Sequence, residues 1–211
     1  MTLSRRQLAF GAAALSLSGL AAPALAQTLS AEDRTLVDQA SAYLQRLTSA
    51  QGTFTETGPG GQTHRGRFWL QRPGKMRFEY TTPEGLLVVS DGNNVSRYDP
   101  RINTFRQVPL GQTPLSTFLS RNVRLAEDVR VDRVTRSRNG AFAIVARDRR
   151  RPNEGSAVLA FAGSPMRLQE WTLIDAQGQR TRVQLNTLQP ASGLASSLFV
   201  LRDPTRRPGR S

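Results

Sequence analysis

Cysteine is absent from the chain, histidine occurs once, and of 29 basic residues only Lys75 is a lysine. Without cysteine there is no disulfide bond, no thiol nucleophile and no lipid-modified cysteine to tether the chain to a membrane. The single histidine, His64, leaves no Cys–His pair and no usual zinc cluster. No nucleophile elbow, phosphate loop or dinucleotide fingerprint is present either. We therefore predict that the protein is not an enzyme and uses no metal or cofactor. Because His64 adjoins a glycine-rich hairpin, we interpret it as a solvated surface residue.

Long hydrophobic runs are also lacking, apart from a short one near the start. Residues 1–26 have the layout of a secretory signal peptide, with Arg5 and Arg6 before an apolar run and Ala24-Leu25-Ala26 as a cleavage site. The run is too short to remain as a membrane-spanning helix. The paired arginines also fit a twin-arginine signal, so two export routes stay open. We predict cleavage after Ala26, which leaves residues 27–211 as a single periplasmic domain.

The charge balance is strongly basic, with a formal net charge of +13, and removing Arg5 and Arg6 lowers it to +11. Such a charge is often typical of nucleic-acid binding. Here the basic residues are spread along alternating positions rather than clustered, and export would separate the chain from nucleic acid. We therefore predict no nucleic-acid partner. A basic surface suits anionic headgroups or acidic proteins equally well.

The stretch 65–100 carries the clearest structural pattern, with residues alternating in type between turn signals rich in proline, glycine and asparagine. Phe68, Leu70 and Arg72 fall on one face of the first strand. In the next strand, Met76, Phe78 and Tyr80 alternate with charged residues. This pattern predicts four antiparallel strands with one apolar face and one charged face.

Elsewhere the periodicity predicts two helices and further strands. Helical spacing of apolar residues indicates a helix over 30–49 and a short one over 114–122. Alternation predicts strands over 53–57, 102–108, 129–134, 141–147, 157–161, 168–174, 181–188 and 198–201. Leaving aside the C-terminal segment, these seven strands and the four of 65–100 make eleven, and a total of roughly ten or eleven is typical of a mainly β barrel or sandwich. Each helix has an apolar stripe that must be buried against the apolar face of the sheet.

That face and those stripes supply the candidate binding residues. The set comprises apolar side chains of the predicted strands and of the second helix, namely Phe54, Phe68, Leu70, Met76, Phe78, Tyr80, Leu115, Phe118 and Leu119. Interdigitation of these side chains would give an ordinary closed core. The same pattern fits a cavity with a helical lid, and periodicity does not distinguish the two.

Three segments, FWLQRPGKMRFEY, LVVSDGNNVSRYDP and QVPLGQTPLSTFL, resemble in order the periplasmic outer-membrane lipoprotein carrier proteins, the LolA family. The resemblance covers about residues 52–120 and is weaker beyond them. It implies a single incomplete antiparallel half-barrel of roughly eleven strands, with a helical lid over an apolar cavity that accepts acyl chains. The implied partners are acylated lipoproteins, an inner-membrane ABC-type releasing complex and an outer-membrane receptor lipoprotein. We expect the protein to be a monomer.

Arg72 is the leading candidate residue. It lies on the same face as Phe68 and Leu70, where an arginine must find partners or suffer a large desolvation penalty. By resemblance, the arginine of this Arg-Pro motif hydrogen-bonds the helical lid in the closed, empty state. From position alone, an exposed arginine at the strand end also fits. A competing function is a periplasmic sensor or scaffold domain on the same half-barrel, which would bind another lipid or a regulatory protein.

Overall fold

The computed structural model describes residues 29–113 and 115–206. The predicted signal peptide, Pro114 and the last five residues lie outside this part of the chain. Within the described residues, no helix is long and apolar enough to cross a membrane.

Eleven antiparallel strands form a single sheet. Their order in the sheet is β6-β5-β4-β3-β2-β1-β11-β10-β9-β8-β7. The bounds are β1 Ser49–Thr57, β2 Thr63–Gln71, β3 Lys75–Thr82, β4 Glu84–Asp91, β5 Asn94–Asp99, β6 Thr104–Pro109, β7 Val129–Arg136, β8 Phe142–Asp148, β9 Gly155–Ala162, β10 Arg167–Asp175 and β11 Arg180–Pro190.

Two strand meanders meet at the centre of this sheet, where β1 pairs with β11. Consecutive strands are neighbours within each meander, as short turns between antiparallel strands require. β6 and β7 lie at the two ends of the strand order, so the sheet is open rather than a closed barrel. The predicted fold, a mainly β incomplete barrel of roughly eleven strands, is confirmed.

The first helix, α1, spans Ala31–Arg46, and Ser30 caps it by accepting a hydrogen bond from the Asp33 amide. The predicted range of 30–49 was too long at its end, because Ser49 already opens β1. The apolar stripe of α1 buries Val37, Ala40 and Leu44. We call the face of the sheet that carries α1 the inner face, and the opposite face the outer face.

The second predicted helix is much shorter than expected. Within the predicted range, the structure has a single helical turn, α2, at Leu115–Phe118. A second short turn, α3, follows at Leu125–Asp128. The chain leaves the helical path because α1 offers it other hydrogen bonds: Gln45 Oε1 accepts from the Val123 amide at 2.8 Å, and Ser41 Oγ accepts from the Leu125 amide at 3.1 Å. These bonds tie the segment after α2 to α1.

The predicted last strand at 198–201 is wrong. The chain instead forms a 3-10 turn over Ser196–Phe199, with Phe199 only 1% exposed. Arg77, on the outer face, donates from Nη1 to the Leu198 carbonyl oxygen at 3.3 Å. Burial of Phe199 against β3 and β4 therefore takes the place of strand pairing.

The inner face carries two apolar clusters rather than one. The first lies over β1–β4 and is built around Phe54, Phe68 and Phe78. The second joins α1 to β8–β10 and is built around Leu44, Phe142 and Phe161. Four half-buried side chains belong to both clusters and line the seam between them: Phe118, Trp171, Leu185 and Leu188.

The second cluster should dominate the stability of the α1 half of the molecule. Phe161 is fully buried, stacks on Phe142 with ring centroids 5.1 Å apart and meets Tyr43 of α1 edge-on. We expect Phe161→Ala to lower the free energy of unfolding by about 3–5 kcal/mol, measured by urea denaturation. The control Ile102→Ala, at a residue 67% exposed, should change it by no more than about 0.5 kcal/mol. Equal losses in both variants would contradict this account.

Candidate functional site

The aromatic half of the inner face is filled. Phe54 contacts Phe78 and Tyr80 edge-on, with ring centroids 4.7 and 5.0 Å apart, and Phe68 stacks on Phe78 at 5.8 Å. A cavity of about 20 Å³ lies beside them, roughly the space of one water molecule. Within β1–β3 the predicted residues therefore pack as an ordinary core.

A much larger cavity, of about 310 Å³, lies on the other side of the seam. Its wall is mainly apolar and comes from α1, from the segment 115–125 and from β7–β10. The lining residues in the apolar part are Leu44, Met76, Leu115, Phe118, Val123, Leu125, Val129, Ala146, Ala157, Leu159, Trp171, Leu173 and Ile174. Small residues on β8 and β9, Ala146 and Ala157, leave the space that α1 does not fill.

Charged residues border the cavity at one end of the sheet, where β8 and β10 finish and β9 begins. Arg151 donates to Glu154 at 3.0 Å and to Asp148 at 3.4 Å, and Asp175 completes this border. Asp148, Glu154 and Asp175 are exposed. The cavity thus joins an apolar interior to a polar, solvated end.

We call α1 and the segment 115–125 the lid. Arg72 lies behind two residues of the cavity wall, Leu44 and Phe118, and bonds to this lid. Its Nη1 donates to the carbonyl oxygen of Leu44 near the end of α1, and its backbone amide donates to the Thr48 oxygen at 2.7 Å. The guanidinium carbon lies 4.8 Å from the ring centroid of Phe118 in α2. Burial lowers the pKa of the Arg72 guanidinium to about 10. The arginine still carries its charge at neutral pH, in an apolar setting.

The β2–β3 turn makes a further contact with the lid. The Gly74 amide donates to the Leu119 carbonyl oxygen at 2.8 Å, just after α2. A side chain at position 74 would clash, because a Cβ there would lie 2.6 Å from the Gly92 Cα and the Gly74 φ is +77°. One turn, residues 72–74, therefore holds both α1 and the end of α2.

Three of the predicted site residues, Met76, Leu115 and Phe118, line the large cavity, and Phe68, Leu70, Met76, Phe78 and Phe118 border the small one. Phe54, Tyr80 and Leu119 lie in the core of the first cluster. A binding role for these residues stays a prediction. The β7–β10 wall was missed: its alternation predicted the strands, but it did not tell which face would remain unfilled. The Leu44 carbonyl, being backbone, has no signal in the sequence.

Tyr80, at the edge of the aromatic cluster, makes a polar contact. Its hydroxyl donates to Glu56 at 2.7 Å, and burial, together with the Glu56 carboxylate, raises the pKa of Tyr80 above its usual range. His64 lies 3.4 Å from the same carboxylate. It is half-buried, so our interpretation of His64 as a solvated surface residue was wrong.

Filling the large cavity should block the binding of apolar molecules. In Ala157→Trp the indole would occupy the space, so we expect the affinity for an apolar fluorescent dye to fall at least about tenfold in a titration. The neighbouring Val158 lies on the opposite face of β9, which makes Val158→Trp a matched control that should bind the dye normally. Equal dye affinity for both variants, each folded by circular dichroism, would rule out this cavity as the dye site.

Comparison with known proteins assigns the family. The family model described as "Outer membrane lipoprotein carrier protein LolA" matches residues 45–202. An outer-membrane lipoprotein carrier protein of Bordetella avium is 34% identical over 200 residues, covering 90% of this chain and 93% of that protein. One of Bordetella pertussis is 32% identical over 196 residues, covering 88% and 90% respectively.

Among solved structures, a LolA superfamily protein from Nitrosomonas europaea is similar with a TM-score of 0.44 and 10% identity, over 80% of this chain and 98% of that one. The family assignment rests on the sequence matches. The family model spans most of the chain and the relative from B. avium exceeds 30% identity over nearly its full length. This chain belongs to the outer-membrane lipoprotein carrier family, LolA.

Proposed function

We propose that this chain is a periplasmic carrier that lodges lipoprotein acyl chains in the large cavity and takes lipoproteins from the inner to the outer membrane. The observation that carries the proposal is the apolar cavity of about 310 Å³ under a lid that Arg72 ties to the sheet. Family membership supports the same role. The task of the site is binding and release rather than catalysis.

The size of the cavity indicates that loading requires movement of the lid. The cavity is about twice the volume of an engineered apolar cavity of ~150 Å³ that holds one benzene molecule. Two or three long acyl chains need more space than that. The segment best placed to yield is α2, because Phe118 meets Trp171 at the seam with ring centroids 6.0 Å apart. Moving Phe118 away would join the cavity to the space beside the aromatic cluster.

Energetics favour such a lidded site for a carrier that must also release its cargo. Burial of each methylene contributes about 0.8 kcal/mol, so one long acyl chain alone could gain more than about 10 kcal/mol. Separating Phe118 and α2 from their contacts offsets part of that gain. When the cargo leaves, these contacts form again. Transfer can then proceed from donor to carrier to acceptor without a nucleotide bound to the carrier.

Two partners follow from this role: an inner-membrane ABC-type complex that releases lipoproteins and, at the outer membrane, a receptor lipoprotein that accepts them. A signal peptide cleaved after Ala26 would place the carrier in the periplasm, where we expect it to act as a monomer. The competing role, a sensor or scaffold domain on the same half-barrel, predicts a different cargo. Mass spectrometry of the protein purified without detergent tests the choice. Bound acylated lipoprotein supports the carrier, and a regulatory protein domain in its place would favour the sensor.

Loss of the Arg72 side chain should slow the cycle between empty and loaded protein. We expect Arg72→Leu to reduce lipoprotein throughput from inner-membrane vesicles to outer-membrane vesicles about tenfold, since a hydrogen bond to a charged group is worth ~1.5–3 kcal/mol. Arg65→Leu is the matched control, because Arg65 is an exposed arginine on the outer face of β2, the strand that leads into Arg72. Normal release onto the Arg72 variant followed by normal delivery would count against the proposal.

A further inference from the structure

One edge of the Arg72 guanidinium has no hydrogen-bond partner. Nη1 donates to the Leu44 carbonyl oxygen, whereas Nε and Nη2 are sealed from solvent and have no partner among the described residues. Buried donors without partners are rare in native proteins, and each calls for an explanation. Those on a charged group are the most unfavourable.

The aromatic contact does not satisfy these donors. Phe118 lies under the guanidinium carbon, and a cation over a ring face is stabilised through its charge. The N–H bonds of a guanidinium, however, lie in its own plane. The hydrogens on Nε and Nη2 therefore stay unbonded even with the ring in place.

The two unpartnered nitrogens form a functional unit. Nε and Nη2 lie on the same edge of the guanidinium and present two parallel N–H bonds. This pair is the fork with which arginine holds paired oxygen acceptors. The bond to Leu44 uses the other terminal nitrogen, so it leaves this fork intact. The lid contact and a second contact can therefore be made by one side chain.

The position of the fork indicates the kind of acceptor. Arg72 itself is not on the wall of the large cavity, but two residues that contact it, Leu44 and Phe118, are. Movement of Phe118 on loading would open the sealed fork to a ligand in that cavity. A ligand whose tails fill that cavity is apolar except at the head of each chain, where an acyl group carries a carbonyl oxygen. A neutral carbonyl accepts a weaker hydrogen bond than a carboxylate does, which suits a carrier that must let go.

We propose that Arg72 recognises the ester carbonyl oxygens at the head of the bound acyl chains through Nε and Nη2, with the tails in the cavity beyond Leu44 and Phe118. This inference rests on the proposed carrier function and adds to it a selectivity for acyl over alkyl chains. It assigns Arg72 two contacts made by different atoms, one to the lid and one to the cargo.

The test compares two synthetic lipopeptides that differ only at the carbonyl. One carries two palmitoyl chains in ester linkage to a glyceryl cysteine peptide, and its twin carries two hexadecyl chains in ether linkage. Displacement of an apolar dye from the purified protein gives both affinities. The wild type should bind the ester about tenfold more tightly, because the ether leaves the fork unpartnered.

Variants assign the preference to the guanidinium. Arg72→Leu removes all the donors and Arg72→Lys keeps the charge without the fork, so both should bind ester and ether with nearly equal affinity. Using the ratio of the two affinities cancels any change in lid stability that the substitution causes. Arg65→Leu should keep the wild-type preference. Circular dichroism confirms that each variant is folded.

Several outcomes overturn the inference. Equal affinities of the wild type for the ester and ether lipopeptides would show that the fork does not bind the carbonyl oxygen. A preference for the ester that survives in both Arg72 variants would show the same. Free palmitate bound more tightly than the diacyl lipopeptide, in a manner dependent on Arg72, would assign the fork to a carboxylate instead. If neither lipopeptide displaces the dye, the carrier function itself fails, which is distinct from binding both equally.

Discussion

Packing among Phe54, Phe68 and Phe78 fixes the shape of the inner face, and the rest of the structure depends on that contact. The rings interlock edge-on and stacked across β1–β3, so this half of the sheet cannot close inward over its neighbour. On the other half, Ala146 and Ala157 are too small to reach α1. A space survives where rigid walls meet short side chains, because the surroundings relax only partially into it. The cavity is thus a consequence of how side-chain size is distributed over one continuous sheet.

The parts that hold the lid in place also come from the two different halves of the inner face. α1 belongs to the cluster over β8–β10, with Leu44 fully buried there, whereas the turn at 72–74 belongs to the aromatic half. Arg72 bridges the two halves through a single side-chain hydrogen bond, supported by the Gly74 amide at Leu119. These polar contacts are few beside the apolar burial of either cluster. Moving α2 would therefore break the contacts of Phe118 at the seam but leave the rings at the centre of each cluster packed.

Prediction from the sequence succeeded where a period of two or of 3.6 residues governs structure. The strands of 65–100, the apolar stripe of α1 and the side of the sheet on which Arg72 falls follow from side-chain periodicity and turn chemistry. The bond of Arg72 to the lid was expected only from the family resemblance. The short α2 could not be predicted, because its end depends on Gln45 and Ser41, which act from α1 on residues far along the chain. The location of the large cavity could not be predicted from the sequence either. Alternation tells which residues share a face, but not how far an opposing helix stands above them.

An arginine at the seam is a poor choice for stability alone, since a leucine would seal an apolar lid without any desolvation penalty. Burial lowers the pKa of this guanidinium to about 10, because the apolar site disfavours its charge. A closed state that leaves one edge of Arg72 unpartnered is less stable than the packing would allow. In the proposed carrier cycle, this deficit would bring the free energy of the empty state closer to that of the loaded state. A carrier needs this balance, because a lid that closed too well would exclude its cargo and a cavity that bound too well would retain it.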